Sequence, residues 1–198
     1  MITTRALELI LDAEGMNQPG KWPGGKSGIT LGIGYDLGYV TVDQFESDWG
    51  EHLTANARER LKAAVGLQGL RARNRAPDFA NIKIRRPDAE EVFKSRTIPR
   101  FEFLTSQAFR GYENLPPDAQ GALVSLVYNR GTSMVDKPGE NRRREMRAIK
   151  DAVVAGDLQE IADQLRSMKR LWQGQGLDGL IERREAEADL VESTMAIA

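Results

Sequence analysis

Only one stretch of this 198-residue chain has the period of a β-strand. In ITLGIGYDLGYV, residues 29–40, Ile29, Leu31, Ile33 and Tyr35 alternate with Thr30, Gly32, Gly34 and Asp36. From Thr41 onward the apolar spacing is helical almost to the end. The chain can therefore form one short sheet of two or three strands, and the rest of its core must come from helices. Thr30 and Asp36 share one face of the segment, but in a straight strand they would lie about 20 Å apart. They can serve one site only if the chain turns back near Gly34. In that case the side-chain-free Gly32 and Gly34 leave room for a ligand. On spacing alone, an ordinary turn aspartate is the competing reading of Asp36.

The helical pattern supplies the remaining elements. Thr3 or Thr4 caps a first helix that ends at Gly15, with Leu7, Ile10, Leu11 and Glu14 on one stripe. Residues 15–28 carry too much Gly and Pro for a helix. Thr41 with Gln44 resembles a capping box for a helix to about Trp49. Further helices are expected over 55–65, over 88–109 with an interruption near Pro99, and over 117–130, where Ala119, Ala122, Leu123, Leu126 and Val127 form the apolar stripe. The last three cover 140–155, 157–169 and 177–195. The fold class is α+β and mainly helical, a single domain of two lobes. A small N-terminal lobe, about residues 1–70, carries the sheet, and a larger helical lobe covers about 71–198. A cleft between such lobes would suit an extended ligand.

Composition narrows the chemistry. With no Cys and one His, His52, the chain cannot use a thiol nucleophile, a Cys-ligated metal or a disulfide scaffold. Acid–base work falls mainly to carboxylates. No metal-ligand cluster and no cofactor motif stands out, so neither is expected. Glu14 projects from the apolar stripe of its helix, the setting in which a carboxyl group becomes a proton donor; the bland reading is a helix-end Glu turned to solvent. Arg184 lies on the stripe Leu177, Ile181, Ala188 and Val191, with Arg183 about 100° away. A guanidinium facing a core needs an anion, and Glu14 is the economical choice, unless the side chain reaches back to the surface.

Net charge is −1, from 28 basic and 29 acidic residues, but the charges are segregated. Residues 1–52 hold three basic and eight acidic residues, whereas residues 71–100 hold nine basic and four acidic ones. The basic run RARNRAPDFANIKIRR reads as a solvated face or loop in preference to a nucleic-acid patch, since only Phe79 is available to stack on a base. No nucleic-acid partner and no stable membrane insertion are expected, and the chain is expected to be a monomer. The N-terminus lacks the pattern of a signal peptide, so synthesis in a cytoplasm is the expectation.

Several segments together resemble the phage-type lysozymes, the muramidases of phage endolysins. They are E14-G15, T30-L31-G32-I33-G34-Y35, the helix A119–G131, and W172 with G179-L180-I181-E182-R183-R184-E185-A186-E187. The resemblance covers most of the chain in the right order, leaving the basic stretch at 71–86 unmatched. It implies a lysozyme-like fold and hydrolysis of the peptidoglycan glycan strand, with Glu14 as general acid and Thr30 holding the attacking water. It also implies that an Arg of the late helix contacts the catalytic Glu, and Arg184 is the better of the two candidates. In the best-known members a catalytic Asp stands about six residues before the Thr, but here the loop KWPGGKSG has no carboxylate. The pesticin-like branch, with an Asp six residues after the Thr, looks closer and assigns that role to Asp36. Trp22, in the Gly/Pro loop, is the tryptophan expected to stack on sugar, whereas Trp49 and Trp172 read as packing. Action on the cell wall would follow release, for example through a holin. A non-catalytic wall-binding protein, a chitinase-like or chitosanase-like hydrolase, and a nucleic-acid-binding protein are the alternatives.

Overall fold

The structure is a computed structural model and describes residues 2–196. Backbone contacts gather residues 1–13 and 99–198 into one compact unit and residues 14–98 into another. The basic segment 71–98 thus packs with the sheet, and the first helix packs with the C-terminal helices.

In the unit 14–98, the strand-period segment folds into a two-stranded antiparallel hairpin, β1 (Thr30–Leu31) and β2 (Tyr35–Asp36). Gly32 and Gly34 make the turn in the left-handed region, at φ 52° and 61°, where a side chain would be strained. Beyond the named strands, an isolated bridge joins Asn17 to Gly32. Helix α2 (Val42–Trp49) is capped by Thr41, whose Oγ1 accepts the Gln44 N–H at 3.2 Å, as the capping pattern predicts. Helix α3 (Ala55–Lys62) is shorter than expected, unwinding through turns to Gly66 at φ 77°.

The basic stretch is more ordered than a loop. It forms α4 (Leu70–Arg75) and a 3₁₀ turn, Ala76–Phe79, because Ala72, Ala76 and Phe79 are all buried while the arginines point outward. Phe79, only 2% exposed, is core and has no face to offer a base. The helix expected over 88–109 begins at Arg86, with Pro87 in its first turn, as α5 (Arg86–Val92). It widens into a π-turn over Phe93–Thr97 before α6 (Ile98–Ala108). Pro99 has no N–H to bond the carbonyl four residues back, and the Ile98 N–H reaches to Phe93 O instead.

In the other unit, α1 (Thr4–Ala13) starts where Thr3 Oγ1 accepts the Ala6 N–H at 3.2 Å. Its most buried residues are Ala6 and Ile10, one helical step of four apart, with Leu7 and Leu11 half-buried. Helix α7 (Pro117–Arg130) is buried on every face from Gly121 to Val127, so the expected stripe is one side of a wholly enclosed helix. Gly121 lets α1 come close: a Cβ there would sit 2.1 Å from Ala6 Cβ. Helices α8 (Arg144–Ala155), α9 (Leu158–Ser167) and α10 (Asp178–Met195) complete the unit. Arg166 of α9 is tied to α10 by Glu185 at 2.6 Å, Asp189 at 2.7 Å and Glu192.

Candidate functional site

The hairpin brings together the two residues that a straight strand would keep apart. Thr30 pairs directly with Asp36 across the β1–β2 ladder, so both side chains leave the same face with their Cβ atoms about 5 Å apart. Thr30 is buried and Asp36 half-buried. The register follows from the pleat: Ile29, Leu31, Ile33 and Tyr35 are all core residues, and a slip by one would turn them outward.

Asp36 also organises the backbone around it. Its Oδ1 accepts the Gly28 N–H at 2.9 Å and the Gly38 N–H at 2.8 Å, and Oδ2 shares the Gly28 N–H at 3.0 Å. The carboxylate thereby caps the 3₁₀ turn Leu37–Tyr39 and ties it to the loop before β1. Gly28 is required here, since a Cβ would fall 2.4 Å from Asp36 Oδ1. Burial pushes the Asp36 carboxyl above its ordinary range, against the pull of the Gly38 and Gly28 N–H groups. Oδ2 retains lone-pair capacity for one further donor.

Glu14 is half-buried and follows immediately on the last residue of α1. Three residues later, Asn17 and Gly32 exchange backbone hydrogen bonds at 2.7 and 2.9 Å, reinforced by Asn17 Nδ2 to Gly32 O at 3.3 Å. Three residues of chain span at most about 11 Å, so this bridge keeps Glu14 near the hairpin turn. Gly32 does not leave open space, as the sequence suggested: a Cβ would meet Ala89 Cβ at 2.7 Å and the Trp49 ring at 3.0 Å. Gly34 is exposed at the tip. Trp22 is half-buried and its Nε1 donates to Ser27 O at 2.9 Å, with the Arg73 guanidinium 6.0 Å from the ring centre. His52 is half-buried, edge-on to Trp49 and 3.8 Å from Asp88.

Arg184, in the other unit, is fully buried, and so is Arg183 at 5% exposure, although helical geometry placed it well off the inward stripe. The anion these guanidiniums require is supplied in their own helix. Glu187 accepts from Arg184 Nη2 at 2.6 Å, from Ser125 Oγ at 2.5 Å, and lies 3.4 Å from Arg183 Nε. Arg183 also donates to Ser125 Oγ at 3.1 Å and to Ser125 O at 3.2 Å. Burial pushes Glu187 up, opposed by the two arginines, and pulls Arg184 down. Glu187 and Glu145 are fully buried carboxylates that the periodicity of the sequence did not single out. The signal was present, since Glu187 stands at i+3 from Arg184 and i+4 from Arg183. Among the described residues no group of carboxylates and His is arranged to hold a metal.

Comparison with known proteins decides the family. Residues 72–187 match the model of the family described as phage lysozyme. The chain belongs to the phage lysozyme family. The fold of this family member is similar to that of the active form of the P1 phage endolysin Lyz, with a TM-score of 0.57 at 20% identity. That likeness covers 98% of this chain and 86% of the other. The comparison with curated proteins found no match. Glu14, Thr30 and Asp36 all lie before the segment that the family model matches.

Proposed function

We propose that this lysozyme-family chain is a peptidoglycan muramidase that hydrolyses the β-1,4 bond between N-acetylmuramic acid and N-acetylglucosamine. The observation that carries the reading is the direct pairing of Thr30 with Asp36 in a hairpin bridged to the segment that follows Glu14. Glu14 donates a proton to the glycosidic oxygen. Thr30 Oγ1 and Asp36 Oδ2 hold a water, and Asp36 takes its proton as the water attacks the anomeric carbon from the opposite face. Such a water requires carboxyls roughly 6.5 to 9.5 Å apart and gives inversion, whereas a retaining pair stands about 5 to 5.5 Å apart. Trp22 stacks on a sugar ring. Placing the general base after the Thr puts the chain in the pesticin-like branch. No helix among the described residues is long and apolar enough to cross a membrane; in this reading the enzyme reaches the wall after release, as through a holin.

Glu14→Gln is the decisive variant. It should fold with a near-native melting temperature and lose lysis of purified cell walls by at least about 10²-fold, since general acid catalysis contributes roughly 10²–10⁴. Retained lysis would remove Glu14 from the mechanism. Analysis of the reducing ends identifies the bond: muramic acid ends support the assignment, and glucosamine ends overturn it.

A second reading is favoured by the Asp36 contacts. A carboxylate that caps one turn and clamps Gly28 is also what a purely structural aspartate looks like. Thr30 alone would then position the water.

A further inference from the structure

A pocket of about 480 Å³ lies in the helical unit, between the C-terminal end of α7 and the loop that leads into α8. Its polar wall is built from Arg130, Lys137, Arg142 and Arg143, beside the Asn129 amide and the Trp172 ring. Arg130 is held firmly. Its guanidinium lies 5.1 Å from the Trp172 ring centre, its Nη2 donates to Arg142 O at 2.7 Å, and Arg143 Nη1 donates back to Arg130 O at 3.0 Å.

The charges do not balance. Two carboxylates, Asp136 and Glu140, line the same pocket. Asp136 is already committed: Oδ1 accepts the backbone N–H groups of Arg142 and Arg143 at 2.6 and 2.7 Å, and Oδ2 pairs with Arg147 at 2.9 Å. Among the described residues, neither Glu140 nor any of the four cations forms an ion pair, so four positive charges less one carboxylate leave a surplus of three. Burial, with the like charges of Arg143, Arg184 and Arg142, lowers Arg130 to about 10, which keeps it charged at neutral pH while recording the repulsion.

We propose that this pocket binds a sugar phosphate, with the phosphate against Lys137, Arg142 and Arg143 and the sugar against Asn129 and the edge of Trp172. A single carboxylate would leave most of the surplus unmet. A phosphate carries up to two charges and three strong acceptor oxygens, which suits converging guanidiniums. The volume falls within the roughly 300–1,000 Å³ of small-molecule sites and exceeds the needs of a bare phosphate. An amide, a hydroxyl at Ser133 and an aromatic ring are the groups that hold a hexose. The proposal goes beyond wall hydrolysis and does not rest on it.

Calorimetric titration of the full chain with N-acetylglucosamine 1-phosphate, inorganic phosphate and N-acetylglucosamine tests it. The sugar phosphate should bind at least about tenfold more tightly than the neutral sugar, and the binding should weaken as salt rises. Lys137→Gln with Arg142→Gln, both exposed side chains, should weaken it on the order of tenfold, whereas Lys150→Gln on α8 should not. Inorganic phosphate binding as tightly as the sugar phosphate would uphold the phosphate site and overturn the sugar contact. Equal binding of the neutral sugar, indifference to the double substitution, or no binding at all would overturn the proposal. Binding that survives Lys137→Gln with Arg142→Gln belongs to the glycan site of the proposed muramidase and not to this pocket, so the double substitution separates the two readings.

Discussion

Replacing Asp36 tests its scaffold role apart from the proposed base role, because the backbone clamp rests mainly on Oδ1. In Asp36→Asn, an amide oxygen at the Oδ1 position still accepts both Gly28 and Gly38 N–H groups, and only the weaker 3.0 Å contact at Oδ2 becomes donor against donor. The substitution exchanges charge-assisted bonds for neutral ones but also relieves the burial of a charge, so it should cost about 1 kcal/mol. Asp36→Ala leaves two N–H groups without an acceptor, at about 1–3 kcal/mol each, or roughly 2–6 kcal/mol in all. For a chain of this size each kcal/mol moves the melting temperature by about 2–4 °C. The Asn variant should therefore melt within about 4 °C of the parent and the Ala variant on the order of 10 °C below it. If Asp36 is the base, lysis by the well-folded Asn variant should fall by at least about 10²-fold. The parent's lysis should also fail on the acid side at a pH above the ordinary aspartate range, because burial raises this carboxyl and only its ionised form accepts the proton. Lysis within threefold of the parent at a near-native melting temperature would refute the base role and leave the scaffold role. An Ala variant as stable as the parent would refute the scaffold.

Other consequences of the packing are as direct. Gly121→Ala places a methyl 2.1 Å from Ala6 Cβ, so α1 and α7 must separate; overpacking of about 1–3 kcal/mol should outweigh the helix-propensity gain of about 1 kcal/mol, and denaturant unfolding should show net destabilisation. Glu187→Ala leaves the fully buried Arg184 guanidinium without its carboxylate and should cost about 3–5 kcal/mol, a loss that would be absent from the same measurement if the cluster were solvated. Arg166→Ala tests the α9–α10 staple by its pH dependence. Arg166 and Lys169 hold Glu185, and Arg166 holds Glu192, below the usual carboxylate range. A depressed folded value adds stability above the unfolded pKa of about 4.3 and loses it as pH falls through the folded value. The stability gap between parent and variant should thus be full at neutral pH and shrink below about pH 4, and a gap independent of pH would sink the argument.

Local chemistry alone determined much of this protein. Thr41 and Gln44 specify a cap whatever lies around them, Pro117 opens and Gly131 closes α7, and the alternation from Ile29 to Tyr35 specifies a strand with its apolar face inward. These signals are short-range, and a reader of the sequence has both partners in view. Whether Thr30 and Asp36 could meet depended on the turn, and Gly32 and Gly34 marked it without saying what filled the space beside them. Trp49 and Ala89, 17 and 57 residues further on, decided that Gly32 faces packing and not a ligand. The same holds for charge. Helical phase placed Arg184 inward, but only the enclosure of α7 buried Arg183 beside it and made Ser125 and Glu187 their partners. Burial and partnership are properties of what closes over a residue, and that is set by long-range contacts which periodicity does not encode.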